Sequence, residues 1–121
     1  MLVKSMQLVQ KTWGYEKWIW NEAYCGKLLV FHKDKRCSFH YHPIKDEVLY
    51  LQSGKILMKF AEHDDLDTAE AVILEPGAAF HVTPGMRHQM IALEDSVIFE
   101  MSTHHDEADS IRVVLGSPPS T

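Results

Sequence analysis

The sequence predicts an all-β fold, a double-sheet jelly roll. Three observations predict it. Apolar and polar residues alternate with period two in short runs, Gly, Pro and Asp signals separate those runs at close intervals, and no amphipathic segment of helix length competes. Met6 to Val9 and Lys17 to Trp20 open the series, the second with Trp18 and Trp20 on one face. Lys27 to Phe31 follows, then the loop Lys33-Asp34-Lys35-Arg36, then Cys37 to His42, which Pro43 ends. Glu47 to Leu51 and Lys55 to Ala61 are joined by the tight reversal at Ser53-Gly54, and the acidic loop Asp64-Asp65-Leu66-Asp67 leads into Ala69 to Leu74. Pro76-Gly77 precedes Ala79 to Val82, and Pro84-Gly85 precedes His88 to Ala92. In both turns proline sets the φ of the second position and glycine takes the positive φ of the third. Ser96 to Met101 completes ten strands, Ile111 to Leu115 can add another, and Gly116 to Thr121 is expected to be a disordered tail behind a single domain of residues 1–115.

At 121 residues and 13.9 kDa the chain suits one domain with a real core. A net charge of −5 and only short basic runs argue against a nucleic-acid partner. No apolar run approaches the ~18 residues that span a bilayer, and Met1 to Lys11 lacks the continuous apolar stretch of a secretory signal, so no membrane partner and a cytoplasmic location are expected. Cys25 and Cys37 read as buried free thiols.

Eight histidines are more than this length predicts. His32, His63, His104 and His105 fall in polar or loop-like settings, and His81 alternates with Phe80 and Val82 on the opposite strand face. His40 and His42 differ. Two residues apart on one strand, they share a face with their Cα atoms roughly 6.6 Å apart at ~3.3 Å rise per residue. Glu47 follows a loop too short to travel far, and His88 arrives from a later strand. Three imidazoles and one carboxylate then converge on a divalent transition metal, with Mn, Fe, Co, Ni and Zn all suited to that donor set. If these side chains point inward, Phe39, Tyr41 and Tyr50 lie on the outer face, where aromatics pack a sheet or form a homodimer interface.

These residues resemble the cupin superfamily, a double-stranded β-helix fold. Its first motif, H-x-H, three or four residues, E, six residues, G, is matched by His40, His42, Glu47 and Gly54. Its second, P-G-x-x-H, is matched by Pro84, Gly85 and His88, while the asparagine that often follows is Ala92 here. Within the superfamily the chain is most similar to the cupin domain of type II mannose-6-phosphate isomerases and related sugar-phosphate cupins. Trp13-Gly14, the Ser38 to Gly54 pattern with Lys45 in its basic position, Glu100-x-Ser102-Thr103 and Asp109-x-Ile111-Arg112 carry that likeness, over most of residues 13–112. The nucleotidyltransferase domain often fused to those isomerases has no counterpart, which implies a free-standing cupin.

The resemblance implies a metal-dependent sugar or sugar-phosphate isomerase or epimerase. The same ligand shell also serves Fe(II) dioxygenases, and a metal-containing module that binds a small ligand without turnover is the third reading. Lys45 and Lys27 are candidate catalytic residues, although surface positions or anion contacts suit lysines better. Arg112 and Arg87 are candidates for bidentate phosphate binding, against the alternative of surface ion pairs.

Overall fold

The computed structural model describes residues 2–119. Eleven strands are present: β1 (Gln7–Lys11), β2 (Gly14–Asn21), β3 (Tyr24–Phe31), β4 (Phe39–Tyr41), β5 (Glu47–Ser53), β6 (Ile56–Ala61), β7 (Glu70–Leu74), β8 (Ala79–Val82), β9 (Arg87–Ala92), β10 (Ser96–Thr103) and β11 (Ile111–Val114). The only helical pieces among the described residues are 3-10 turns at Leu66–Thr68 and Glu107–Asp109. Six strands form one antiparallel sheet, in the order β1-β2-β3-β10-β5-β8. The other five form the second, in the order β11-β4-β9-β6-β7. This is the expected jelly roll, with the additional strand at Ile111 in place.

Alternation along the strands decides what enters the space between the sheets. On β3 the inward residues are Cys25, Lys27, Leu29 and Phe31; on β5 they are Glu47, Leu49 and Leu51; on β10 they are Ser96, Ile98, Glu100 and Ser102. Apart from Ser96 at the apolar end of β10, each series is apolar at one end and polar at the other. Antiparallel pairing aligns the apolar ends, so Leu29, Phe31, Leu51 and Ile98 meet Ile56, Met58, Met90 and Ala92 in one core. Trp13 closes it, stacked on Phe31 with ring centroids 3.9 Å apart. The polar ends align as well, and they line a cavity of about 540 Å³.

The turn that carries Trp13 depends on its neighbour. Gly14 has φ +151°, and a Cβ there would sit 1.9 Å from the Val30 carbonyl oxygen.

One expectation needs correction. Phe39 does alternate with His40, but it is wholly buried and so cannot form an outer face, whereas Tyr50 is only half-buried and Tyr41 lies beneath the Arg87 guanidinium. Past β11, Ser117 is hydrogen-bonded to the loop before β4. The Ser117 amide donates to the Arg36 carbonyl at 2.9 Å, and its hydroxyl accepts from the Arg36 amide at 2.8 Å. Ser120 and Thr121 lie outside the described residues.

Candidate metal centre

The histidines come from one sheet. His40 and His88 are direct cross-strand partners on β4 and β9, and His42 follows β4 by one residue. Their ring centroids lie 4.3 to 5.7 Å apart, and one ring nitrogen from each falls within 4.8 Å of the other two. Glu47 faces them from the first residue of β5 in the opposite sheet, its Oε1 3.1 Å from His88 Nε2.

Main-chain carbonyls fix how each ring presents itself. His40 Nδ1 donates to Ser38 O at 2.8 Å, His42 Nδ1 to Asp109 O at 3.2 Å, and His88 Nδ1 to Met86 O at 3.2 Å. A carbonyl can only accept, so the proton sits on Nδ1 and the lone pair on Nε2. All three Nε2 lone pairs are thereby left for a cation, the orientation that outer hydrogen bonds give to metal-binding histidines. Burial, reinforced by the charges of the neighbouring rings, pushes the His40 pKa well down; burial and then the Lys45 ammonium hold His42 at about 4. Both are therefore neutral donors at neutral pH.

Glu47 supplies the test of fit. Burial would push its carboxyl up, but the His88 hydrogen bond and the His88 and Lys45 charges outweigh burial and hold it well below the usual carboxylate range. Its Oε2 is buried without a hydrogen bond among the described residues: Lys45 Nζ lies 3.0 Å away, near enough for an ion pair but outside hydrogen-bond alignment. With His88 Nδ1 donating to Met86 O, the 3.1 Å contact between Nε2 and Glu47 Oε1 is closed by a second proton on the ring, which makes the hydrogen bond named above, or by a metal ion that takes that proton's place. The donor set fits a divalent transition metal.

The lysines are not surface residues. Lys45 and Lys27 are each 2% exposed. Lys45 Nζ ion-pairs with Glu47 and with Glu100 Oε2 (3.1 Å) and donates to His105 Nδ1 (3.0 Å). Burial works against its charge, but the two carboxylates prevail and raise its pKa, so it is an ammonium donor and not a free base. Its loop is held by Asp109, whose carboxylate accepts from the amides of Ile44 (3.0 Å) and Lys45 (2.8 Å). Lys27 Nζ is 3.6 Å from Glu16 and 4.2 Å above the Trp18 ring. Arg112, the cross-strand partner of His40, reaches the cavity rim with a half-exposed side chain. Arg87 does not line the cavity; it pairs with Asp64 at 2.8 Å on the surface.

Glu16, Glu100 and His105 were not legible as site residues. His105 sits in a polar run yet is buried; with Nδ1 accepting from Lys45, its Nε2–H donates to Glu107 at 2.8 Å. A signal did exist for Glu100 and Lys27. Each occupies the inward phase of its strand, Lys27 beside Leu29 and Phe31 and Glu100 beside Ile98, a position where a charge requires a partner.

Comparison with known proteins agrees with this geometry. The profile of the family described as Cupin matches residues 28–117. The chain belongs to the cupin family. Among solved structures this cupin is similar to the capsular polysaccharide assembling protein CapF from Staphylococcus aureus, with TM-score 0.79, 14% identity, and coverage of 94% of this chain and 33% of that one. The same holds for CapF with the inhibitor 3-isopropenyl-tropolone, with TM-score 0.78, 15% identity, and coverage of 94% and 36%. Oxalate decarboxylase from Bacillus subtilis gives TM-score 0.74, 14% identity, and coverage of 88% and 30%. At these identities the likeness is one of fold, and the chain spans about a third of the length of each structure. No curated protein matches the sequence. No helix among the described residues is long and apolar enough to cross a membrane.

Proposed function

We propose that this cupin is a metal-dependent sugar or sugar-phosphate isomerase or epimerase, with His40, His42, Glu47 and His88 holding one divalent ion. The observation that carries the reading is the trio of carbonyl-oriented imidazoles beside a buried carboxylate oxygen that lacks a hydrogen bond, at the polar end of a cavity of about 540 Å³. The Trp13-Gly14 and Asp109 to Arg112 likeness to type II mannose-6-phosphate isomerases supplies the sugar, and a fold neighbour named for capsular polysaccharide assembly points the same way.

When bound, such an ion supplies Lewis acidity toward charge that develops on substrate oxygens. Lys45, a buried ammonium beside the histidines, donates a hydrogen bond to a substrate oxygen. Glu100 is the assigned proton acceptor, because its Oε1 accepts no hydrogen bond among the described residues while Oε2 is committed to Lys45 and Ser102. Trp13 and Leu29 on the cavity wall keep water from that transfer.

Metal analysis of protein purified without added metal, beside His40→Ala and His88→Ala, tests the ligand set. Wild type should retain metal and both variants should lose it; below about a tenth of an equivalent in wild type the assignment fails. Incubation with aldoses and their phosphates in D₂O should place deuterium at C2, and turnover that requires O₂ without exchange refutes isomerisation. A homodimer is also proposed, across the outer face of the larger sheet, where Tyr50, Phe99 and Leu28 stand in direct register between half-buried valines and the exposed Met101. Light scattering at micromolar protein should give twice the chain mass, and a monomer mass refutes it.

A further inference from the structure

The Lys27 side chain is almost wholly buried in the cavity wall, and its ammonium makes no hydrogen bond to any described residue, so its donors open on the cavity. Its three donors have only Glu16 Oε1, at 3.6 Å, and the face of Trp18. Glu16 Oε1 is already occupied, since it accepts from Trp18 Nε1 at 2.7 Å, whereas Glu16 Oε2 accepts nothing among the described residues. A buried donor set and a free acceptor thus stand side by side and face the cavity. Neither Lys27 Nζ nor Glu16 Oε2 is sealed off without a partner as Glu47 Oε2 is, so both open on the cavity, where ligand hydroxyls can take over the hydrogen bonds that water would make.

Position fixes the scale of that partner. Lys27 and Glu16 belong to β3 and β2, in the sheet opposite the histidines. Lys27 lies two strands and two residues along from Glu47 across β10, about 12 Å between Cα atoms at the usual ~4.8 Å spacing and ~3.3 Å rise. A molecule that touches both ends must carry oxygens several carbons apart.

Charge fixes its chemistry. The cavity presents four cations, Lys11, Lys27, Lys45 and Arg112, against four carboxylates. Both buried lysines already face carboxylates, Lys27 facing Glu16 and Lys45 facing Glu47 and Glu100. At this wall, away from Lys11 and Arg112 on the rim, no cation is free of such a neighbour to hold a phosphate dianion, whereas a hydroxyl both donates and accepts, as an ammonium beside a carboxylate requires. We propose that Lys27 and Glu16 form a second recognition point for a neutral polyhydroxyl ligand of pentose or hexose size, Lys27 donating to one hydroxyl and Glu16 Oε2 accepting from its neighbour. This rests on the sugar reading above and moves Lys27 from catalysis to ligand binding.

The test uses the full metal-loaded protein. Sorbitol, mannitol, xylitol and sorbitol 6-phosphate are titrated while tryptophan fluorescence is followed, because Trp13 lines the cavity and Trp18 touches both residues. At least one free polyol should bind saturably, and no more weakly than the phosphate ester. Lys27→Met should weaken it about tenfold or more and Glu16→Gln several-fold, with metal content unchanged in both. The proposal is overturned if no polyol binds wild type, if the phosphate ester binds tenfold tighter, or if the folded variants bind polyol as wild type does. Should Lys27→Met fail to fold by circular dichroism, Glu16→Gln alone decides on the same criterion. Absence of deuterium exchange with any sugar, alongside Lys27-dependent polyol binding, sinks isomerisation and leaves this site standing. Exchange that persists with polyol affinity unchanged in Lys27→Met sinks only the site.

Discussion

Lys45→Met removes one charge from a buried trio and keeps the volume of the stem. The three side chains are 2%, 2% and 6% exposed, so solvent screens little of their interaction. Loss of the ammonium leaves Glu47 and Glu100 as buried like charges. Breaking a buried pair in this way costs about 3–5 kcal/mol. With an unfolding entropy of about 2.1 cal/mol/K per residue over 121 residues, 1 kcal/mol corresponds to about 4 °C. The expected fall in Tm is therefore about 12–20 °C at pH 7.5. Its pH dependence is equally specific. In wild type the Lys45 pKa is raised above its unfolded value, so its stabilisation is complete below about pH 10.4 and fades only above that. In the variant both carboxylates lose their counter-charge, and Glu47, held low by His88 and then by Lys45, loses the second of these, so its folded pKa rises. The deficit must then grow as pH rises, and shrink toward pH 5 as protons replace the ammonium. Thermal melts by circular dichroism in a chelating buffer at both pH values measure this. A drop below about 4 °C, or an equal deficit at the two pH values, refutes the trio as a coupled buried charge system.

Two further outcomes follow from the geometry. Burial holds His42 at about 4 against an ordinary 6.5, so the unfolded chain takes up a proton between those values that the fold does not. Metal-free stability should decline as pH falls from 6.5 toward 4, by up to roughly 3 kcal/mol from this group; urea midpoints at pH 7 and 4.5 should show it, with a smaller decline in His42→Gln. Gly14→Ala places a Cβ 1.9 Å from the Val30 carbonyl oxygen, whereas at Gly77, φ +95°, an added Cβ meets nothing within 4 Å. The first should cost about 2–5 kcal/mol from strain and overlap combined and the second about 1–2 kcal/mol from the left-handed backbone alone; equal melting temperatures for the two variants contradict the close approach.

Local chemistry made most of the fold readable. Pro76-Gly77 and Pro84-Gly85 announce turns whose glycines adopt φ +95° and +84°, and Gly54 reverses the chain at φ +93°. His40 and His42 were readable because a strand's period places them on one face, and His88 because a proline-glycine turn aims it back. The opposite wall was harder to see. Glu100 and Lys45 are 55 positions apart in sequence, and only the pairing of β5 with β10 brings them together. Lysine and glutamate also suggest solvent when taken one at a time, since either is costly to bury alone. The carbonyl partners of the imidazoles were hidden for a different reason: Ser38, Met86 and Asp109 contribute main-chain atoms, which the identity of a side chain does not announce.

Those three carbonyls divide the labour of the site. Because a main-chain carbonyl orients each imidazole, with only the Ser38 and Ser110 hydroxyls added beside His40 and His42, most substitutions around the rings leave the donors aimed as they are, since every residue type brings the same carbonyl. Meanwhile Glu16, Lys27 and Glu100 stand on strands of the other sheet, where a change of side chain leaves the histidine geometry untouched. The barrel behaves as a socket with a fixed contact and an exchangeable face: one scaffold can be retargeted to new small molecules by editing the wall around Glu47 while the three histidines are inherited intact.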